Sequence, residues 1–164
     1  MTKRLVLMRH AKSSWDDLNL EDHARPLNAR GRKAARAIGA WLTSLDIAPD
    51  MILCSDAVRT QETHQRLKMD GPVHMRPDLY LASLDRILTV LQGAEGDTVM
   101  LIGHNPGIGE FANRLVMSPP PHGRFVDYPT GATLVADLPI DDWSAAHFGT
   151  GRVVNFLTPR ELTG

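Results

Sequence analysis

The chain has 164 residues and a single cysteine, Cys54. No internal disulfide can form, and so sparse a use of cysteine fits a reducing compartment better than a secreted scaffold. Long hydrophobic runs are missing as well: nothing approaches the roughly 18 consecutive apolar residues that cross a bilayer. The first apolar run stops at Met8 and meets Arg9, His10 and Lys12, so it forms no signal-peptide core. A cytoplasmic protein, not one embedded in or bound to a membrane, is therefore expected. Charge of one sign is also absent, since 18 Lys and Arg offset 19 Asp and Glu to a net charge of −1. No global field attracts nucleic acid or anionic lipid, and any anion site must be local. There is no His-Glu-x-x-His helix and no cysteine pair, so no metal site is expected. "GHNPGIG", Gly103 to Gly109, lacks the spacing of a dinucleotide loop. Repeats and low-complexity tracts are absent, and the one biased stretch is "SPPPHG", Ser118 to Gly123. Its prolines predict an extended surface loop.

What remains is an ordinary globular composition, 43% apolar and 23% charged, in a length that suits one domain over residues 1–164. Leu5 to Met8 form an apolar run without alternation, which predicts a central strand covered on both faces. From Asn28 to Leu45 apolar residues recur at helical spacing through Ala35, Ile38 and Leu42. Met51 to Cys54 predict a second strand, with Ser55 or Asp56 capping a helix that runs through Val58 and Leu67. Val73 to Met75 predict a short strand, and Leu84 to Leu91 a helix ended by Gly93. Thr98 to Ile102 predict another buried strand, Gly107 to Met117 a helix, and Ala132 to Leu138 and Arg152 to Leu157 two late strands. This alternation predicts an α/β fold, a three-layer α/β/α sandwich around a mostly parallel central sheet. Sites in such sheets gather at the carboxyl ends of the strands.

Those strand ends carry polar cargo. Arg9 and His10 follow the first strand in "RLVLMRHAKSSW", Arg59 lies just beyond the second, and His104 follows "TVMLIG". The planar guanidinium fork of Arg bonds phosphate oxygens bidentately and stays charged. Histidine adds a nucleophilic nitrogen when neutral and a proton donor when charged. Converging, these residues describe phosphoryl transfer through a phosphohistidine.

Four segments extend the pattern. "LVLMRHAKSSW" resembles the Arg-His-Gly signature of the histidine phosphatase, or phosphoglycerate mutase-like, superfamily, with Ala11 in place of the usual glycine. "RPLNARGRKAA", Arg25 to Ala35, "CSDAVRTQET", Cys54 to Thr63, and "LIGHNPGI", Leu101 to Ile108, resemble three further segments of that superfamily in the same order. The wording of "RHAKSSW" and "YPTGATLVADL" is similar to the SixA-like branch, whose members are phosphohistidine phosphatases. The resemblance implies a phosphoglycerate mutase-like fold with His10 as nucleophile. It implies that Arg9, Arg59 and His104 surround the transferred phosphoryl group, with no metal or other cofactor. Ser13 follows the nucleophile closely enough to touch phosphate, although serines in a turn more often bond local backbone. The partner it implies is a phosphohistidine-bearing protein or a small phosphate ester.

One departure bears on the substrate. Family members acting on esters usually carry a proton-donating glutamate after the third strand, but "RPDLYLAS", Arg76 to Ser83, has none. Asp78 is the only carboxylate there and the only substitute acid on offer. An alkoxide leaves poorly without an acid worth ~10²–10⁴-fold in rate, whereas the imidazole of a phosphohistidine departs as a neutral ring. The missing glutamate thus favours a P–N bond over an ester. The rival reading from a different class is a noncatalytic phospho-recognition module, which fold resemblance alone never excludes. Trp15, Trp41 and Trp143 read as packing residues, with Trp15 near enough to the nucleophile to shape substrate approach. His23, His64, His74, His122 and His147 receive no role, though His122 in the proline loop is placed where it would border the site's mouth.

Overall fold

The run Leu5 to Met8 is fully buried although it does not alternate in polarity. It lies in strand β1 (Lys3–Arg9) of a computed structural model that describes residues 1–164. Leu5 and Leu7 enter one apolar cluster while Val6 and Met8 enter another on the opposite face, because successive strand side chains point to opposite sides. β1 therefore spans the middle of a three-layer α/β/α arrangement. In chain order the other elements are α1 (Ala29–Ser44), β2 (Met51–Ser55), α2 (Val58–Leu67), β3 (Val73–Arg76) and α3 (Leu84–Gln92). They are followed by β4 (Thr98–Gly103), α4 (Gly107–Leu115), β5 (Thr133–Leu138), β6 (Arg152–Leu157) and the short α5 (Arg160–Thr163).

The six strands form one sheet in the order β3-β2-β4-β1-β5-β6. β1, β2, β3 and β4 run parallel, while β5 runs antiparallel between β1 and β6. On one face Ile38 and Leu42 of α1 and Leu67 of α2 pack with Val6, Met8, Ile52 and Ile102. On the other, Ile87 and Leu91 of α3 and Phe111 and Leu115 of α4 pack with Leu5, Leu7 and Leu101. At roughly 1.5–3 kcal/mol for each buried large apolar side chain, these two faces dominate the stabilisation of the fold.

α1 begins where sequence places it: the Asn28 side chain caps the helix by accepting from Gly31 N–H at 2.8 Å. Gly31 is required by a close approach, since a Cβ there would lie 2.1 Å from the Lys12 carbonyl oxygen. That contact and the bond from Asn28 N–H to Lys12 O, 3.0 Å, press the segment after His10 against the start of α1.

Two local expectations change. Neither Ser55 nor Asp56 caps α2; Ala57 stands at the cap position with no polar side chain to offer, and the Ser55 hydroxyl, two residues earlier, accepts from Ala57 N–H at 3.3 Å and lies 2.8 Å from His104 Nε2. α4 stops at Leu115, short of Met117, because Val116 turns extended and pairs with Gly151. "SPPPHG" forms neither helix nor strand, as its prolines imply. No helix is long and apolar enough to cross a membrane.

Candidate active site

The strand order brings three carboxyl ends side by side. Arg9 pairs with Gly103 in the parallel β1–β4 register, and His10 N–H donates to Gly103 O at 3.0 Å, so His10 and His104 emerge as neighbours. Their rings lie 5.3 Å apart, centre to centre. β2 lies on the other side of β4, and the Ser55 hydroxyl at its end reaches His104 Nε2 at 2.8 Å. The first turn of α2 contributes Arg59, whose side chain is buried.

Each ring is oriented through one nitrogen. His10 Nδ1 lies 2.7 Å from the Ala11 carbonyl oxygen, which accepts only, so Nδ1 carries the proton and Nε2 its lone pair. Burial drives the His10 imidazolium form down to about 3, overcoming the support of Ala11 O, and the nearby Arg9, Arg59 and Arg25 push in the same direction. His104 is likewise lowered to about 3, first by burial and then by His10 and Arg59. Ser55 Oγ already accepts from Ala57 N–H at 3.3 Å. It can therefore turn its own proton toward His104 Nε2, which leaves Nδ1–H as a donor.

Three buried nitrogens of this cluster, Arg9 Nε, Arg59 Nε and His104 Nδ1, have no hydrogen-bond partner in the protein. Buried donors are nearly always paired, so each of these unpaired ones calls for an explanation such as a bound ligand. Arg9 keeps its other contact through Nη1 to Tyr128 O, 3.3 Å. Burial and then Arg59 lower its pKa, yet a guanidinium remains charged. The cluster thus sets two guanidinium groups beside a neutral imidazole, an arrangement suited to an anion with several acceptor oxygens.

The other sequence candidates lie differently. Ser13 is buried beside the cluster; its hydroxyl accepts from Arg25 Nη1 at 2.8 Å and keeps its own proton to donate. Asp78 is held by Arg76 through bonds of 3.0 and 2.7 Å, and no hydrogen bond joins it to the histidines. Arg76 keeps its carboxyl below the usual range, against the opposing effect of its partial burial. Trp15 is not a packing residue; it is exposed, with the Arg25 guanidinium stacked 3.6 Å above its ring. His122 bonds Glu161 and meets Phe156 edge-on, on the β6 side of the molecule.

Three residues that sequence reasoning missed complete the cluster. Asp22 accepts from Arg59 Nη2 at 3.0 Å through its carboxylate and from Arg59 Nη1 at 2.7 Å through its carbonyl. Its second carboxylate contact is the Tyr80 hydroxyl, and that bond is the main reason the Asp22 carboxyl lies far below its ordinary range. The Tyr80 ring stands edge-on to His104 at 5.4 Å and to His23 at 4.8 Å. The short turn Pro77–Leu79 that carries Asp78 thus delivers Tyr80 to the site instead. No motif flags Asp22, His23 or Tyr80, because each enters through a turn rather than a strand end.

The lowered imidazoles make a prediction. Neither ring of the folded protein takes up a proton until the pH nears 3, whereas in the unfolded chain both do so near 6.5. Stability from these groups is therefore complete above about pH 6.5 and falls as pH drops toward 3, because the unfolded state binds the protons that the folded site refuses. Ring NMR of His10 is expected to show no titration between about pH 5 and 8, with thermal midpoints declining below about pH 6.5. A His10 midpoint near its ordinary value would contradict the buried, neutral assignment.

Fold and cluster together define an α/β protein with a neutral histidine in a cationic pocket at the carboxyl edge of its sheet. Residues 5–81 match the family model of branch 1 of the histidine phosphatase superfamily. An uncharacterised chloroplastic protein of Arabidopsis thaliana is 38% identical over 130 residues, 70% of this chain. The match spans only 60% of that relative's length. Among solved structures, one assigned as phosphohistidine phosphatase SixA from Nakamurella multipartitia is 29% identical with a TM-score of 0.86, covering 97% of each chain. A second with the same assignment, from Agrobacterium tumefaciens, is 26% identical with a TM-score of 0.78, covering 96% of this chain and 99% of the other.

Proposed function

We propose that this chain, as one histidine phosphatase domain over residues 1–164, hydrolyses phosphohistidine on a protein, and that it works in the cytoplasm without metal or cofactor. His10 Nε2 attacks phosphorus while the bond from phosphorus to the substrate imidazole nitrogen breaks. That imidazole, protonated by solvent on its other nitrogen beforehand, departs as a neutral ring, and water then cleaves the phosphoryl group from His10 to give inorganic phosphate. Arg9, Arg59 and His104 hold the phosphoryl oxygens, because positioning and charge stabilisation are most of what this transfer needs. Ser13 contributes through Arg25, whose guanidinium it helps to hold.

The observation that carries the reading is the His10 ring, fixed by Ala11 O with Nε2 unprotonated among three unpaired buried nitrogens. A phosphate-binding module needs the cations but gains nothing from an oriented, proton-free nucleophile. The P–N preference rests on the carboxylates: Asp22 and Asp78 are both held ionised by arginines, and Asp22 also by Tyr80. Neither carries a proton to give to a departing alkoxide at neutral pH. The SixA assignments of the two structural relatives point the same way.

The test compares substrates. The protein is expected to turn over a histidine-phosphorylated protein with kcat/KM about 10²-fold above that for an alkyl phosphate, the deficit expected without an acid. Asp78→Asn is expected to leave both values unchanged. A preference for the ester, or loss of ester hydrolysis alone in Asp78→Asn, would overturn the P–N reading and make Asp78 an ester acid.

A further inference from the structure

Beside the catalytic cluster lies a separate groove of about 470 Å³, and its lining is unlike the rest of the surface. Five cationic side chains face it: Lys12 from the segment after the nucleophile, Arg30 and Lys33 from the first turns of α1, Arg124 from the loop before β5, and Arg160 from α5. No Asp or Glu side chain lines it. In a chain with 18 basic and 19 acidic residues this is a strong local segregation. Only Arg124 has an ion-pair partner, Asp127 at 3.1 Å; Lys12, Arg30, Lys33 and Arg160 pair with no carboxylate. All five side chains belong to exposed residues. Four unpaired cations held together repel one another, which makes the groove a place where an anion binds favourably.

Its position connects it to the reaction. Lys12 is two residues from His10, and the loop that supplies Pro129 and Thr130 to the groove continues into Gly131, whose N–H donates to His10 O at 2.9 Å. No catalytic residue lines the groove, so its ligand is not the phosphoryl group being transferred. Apart from Ala34, Gly164 and two prolines the lining is polar, and no aromatic ring offers a stacking surface for a base. A partner whose phosphohistidine enters the His10 pocket must lay its neighbouring surface over this rim.

We propose that the groove docks an acidic segment of the phosphoprotein substrate, so that recognition extends beyond the phosphoryl group. This rests on the phosphohistidine phosphatase reading and specifies its substrate: a protein with several carboxylates flanking the phosphorylated histidine. The interaction acts mainly on encounter and orientation, as complementary charge usually does, and it weakens as salt shortens the screening length.

The experiment uses the full chain and a charge-reversed variant, Arg30→Glu/Lys33→Glu/Arg160→Glu, with three exposed changes outside the catalytic cluster. Unchanged circular dichroism and thermal midpoint verify its fold. On a histidine-phosphorylated phosphotransfer domain with an acidic face, the variant is expected to lose about 10- to 100-fold in kcat/KM through KM. Free phosphohistidine, which needs only the His10 pocket, is expected to be hydrolysed within about twofold of wild type. The wild-type advantage on the protein substrate should shrink between about 50 and about 300 mM salt. Equal losses on both substrates, or no loss on the protein, would overturn the proposal. If wild type hydrolyses neither substrate, the phosphatase reading itself fails, and fluorescence anisotropy with a labelled hexaglutamate peptide decides the groove independently. Binding to wild type that the variant loses retains the acidic-segment site, and no binding, or equal binding to both, removes it. Binding of inorganic tripolyphosphate without hexaglutamate also removes it, making the groove a small-anion site.

Discussion

Replacing His10 with alanine is expected to lower phosphate release by roughly 10³-fold or more, the scale seen when a covalent nucleophile is removed. The loss should fall on kcat. The proposed phosphoryl-binding groups, Arg9, Arg59 and His104, are untouched by the substitution, so KM is expected to change little. The substitution also removes the donor to Ala11 O in a buried place, which costs about 1–3 kcal/mol of stability. A thermal melt separates that effect from chemistry. Rapid-quench mass spectrometry is expected to find the phosphoryl group on His10 in the wild type and nowhere in the variant. Undiminished turnover by His10→Ala would disprove the covalent route.

Arg59→Ala is expected to show the second-largest effect, a fall in kcat/KM of about 10²–10³-fold. Arg59 does two things at once: its Nε remains unpaired toward the cluster, and its Nη atoms hold Asp22. Without it, a carboxylate tied only to Tyr80 and Arg25 stands beside the place where phosphate binds. The substrate then meets an uncompensated negative charge as well as a missing donor. Arg59→Lys is expected to recover little, because one ammonium group cannot reproduce a planar fork that reaches in two directions. Adding Asp22→Asn to Arg59→Ala should restore part of the loss, since the charge is removed while the side-chain shape remains. Should the double variant be no better than Arg59→Ala, Asp22 exerts no repulsion and the loss belongs to the missing donor alone.

Much of this site was legible along the chain. Short apolar runs must become strands when they are too brief for helices and bounded by turn residues, and parallel strands deliver their ends to one edge. That logic brings Arg9, His10, Arg59 and His104 together from the strand ends, and the resemblance in four ordered segments gives each of them a role. It failed where a residue's role depends on competition for a partner. Ser55 has the chemistry of a helix cap, yet it stands two residues before the cap position with its hydroxyl 2.8 Å from His104 Nε2. Asp78 has the chemistry of an acid, yet Arg76 two residues earlier binds it twice and keeps it ionised.

The residues outside the strand ends were hidden for a related reason. Asp22 opens a single 3-10 turn, Asp22–Ala24, between β1 and α1, and nothing in its sequence neighbourhood distinguishes it from Asp16 or Asp17. Only the folding of α2 against that turn sets it on Arg59. Tyr80 likewise reads as one aromatic among few until the turn before it carries its ring to the edge of His104. The basic groove is the same case on a larger scale, since Lys12, Arg30, Arg124 and Arg160 are scattered along the chain and meet only in space.

By itself, then, the sequence determined the α/β layering, the mostly parallel sheet and the placing of Arg9, His10 and His104 at its carboxyl edge, because hydrophobic periodicity and strand-end position are local properties of the chain. Tertiary structure alone decided which nitrogen of His10 is proton-free, which carboxylate faces Arg59 and where unpaired positive charge collects. Those outcomes are set by hydrogen-bond competition, desolvation and the convergence of distant segments. Such quantities exist only when the chain is folded and residues far apart in sequence compete for the same few ångströms.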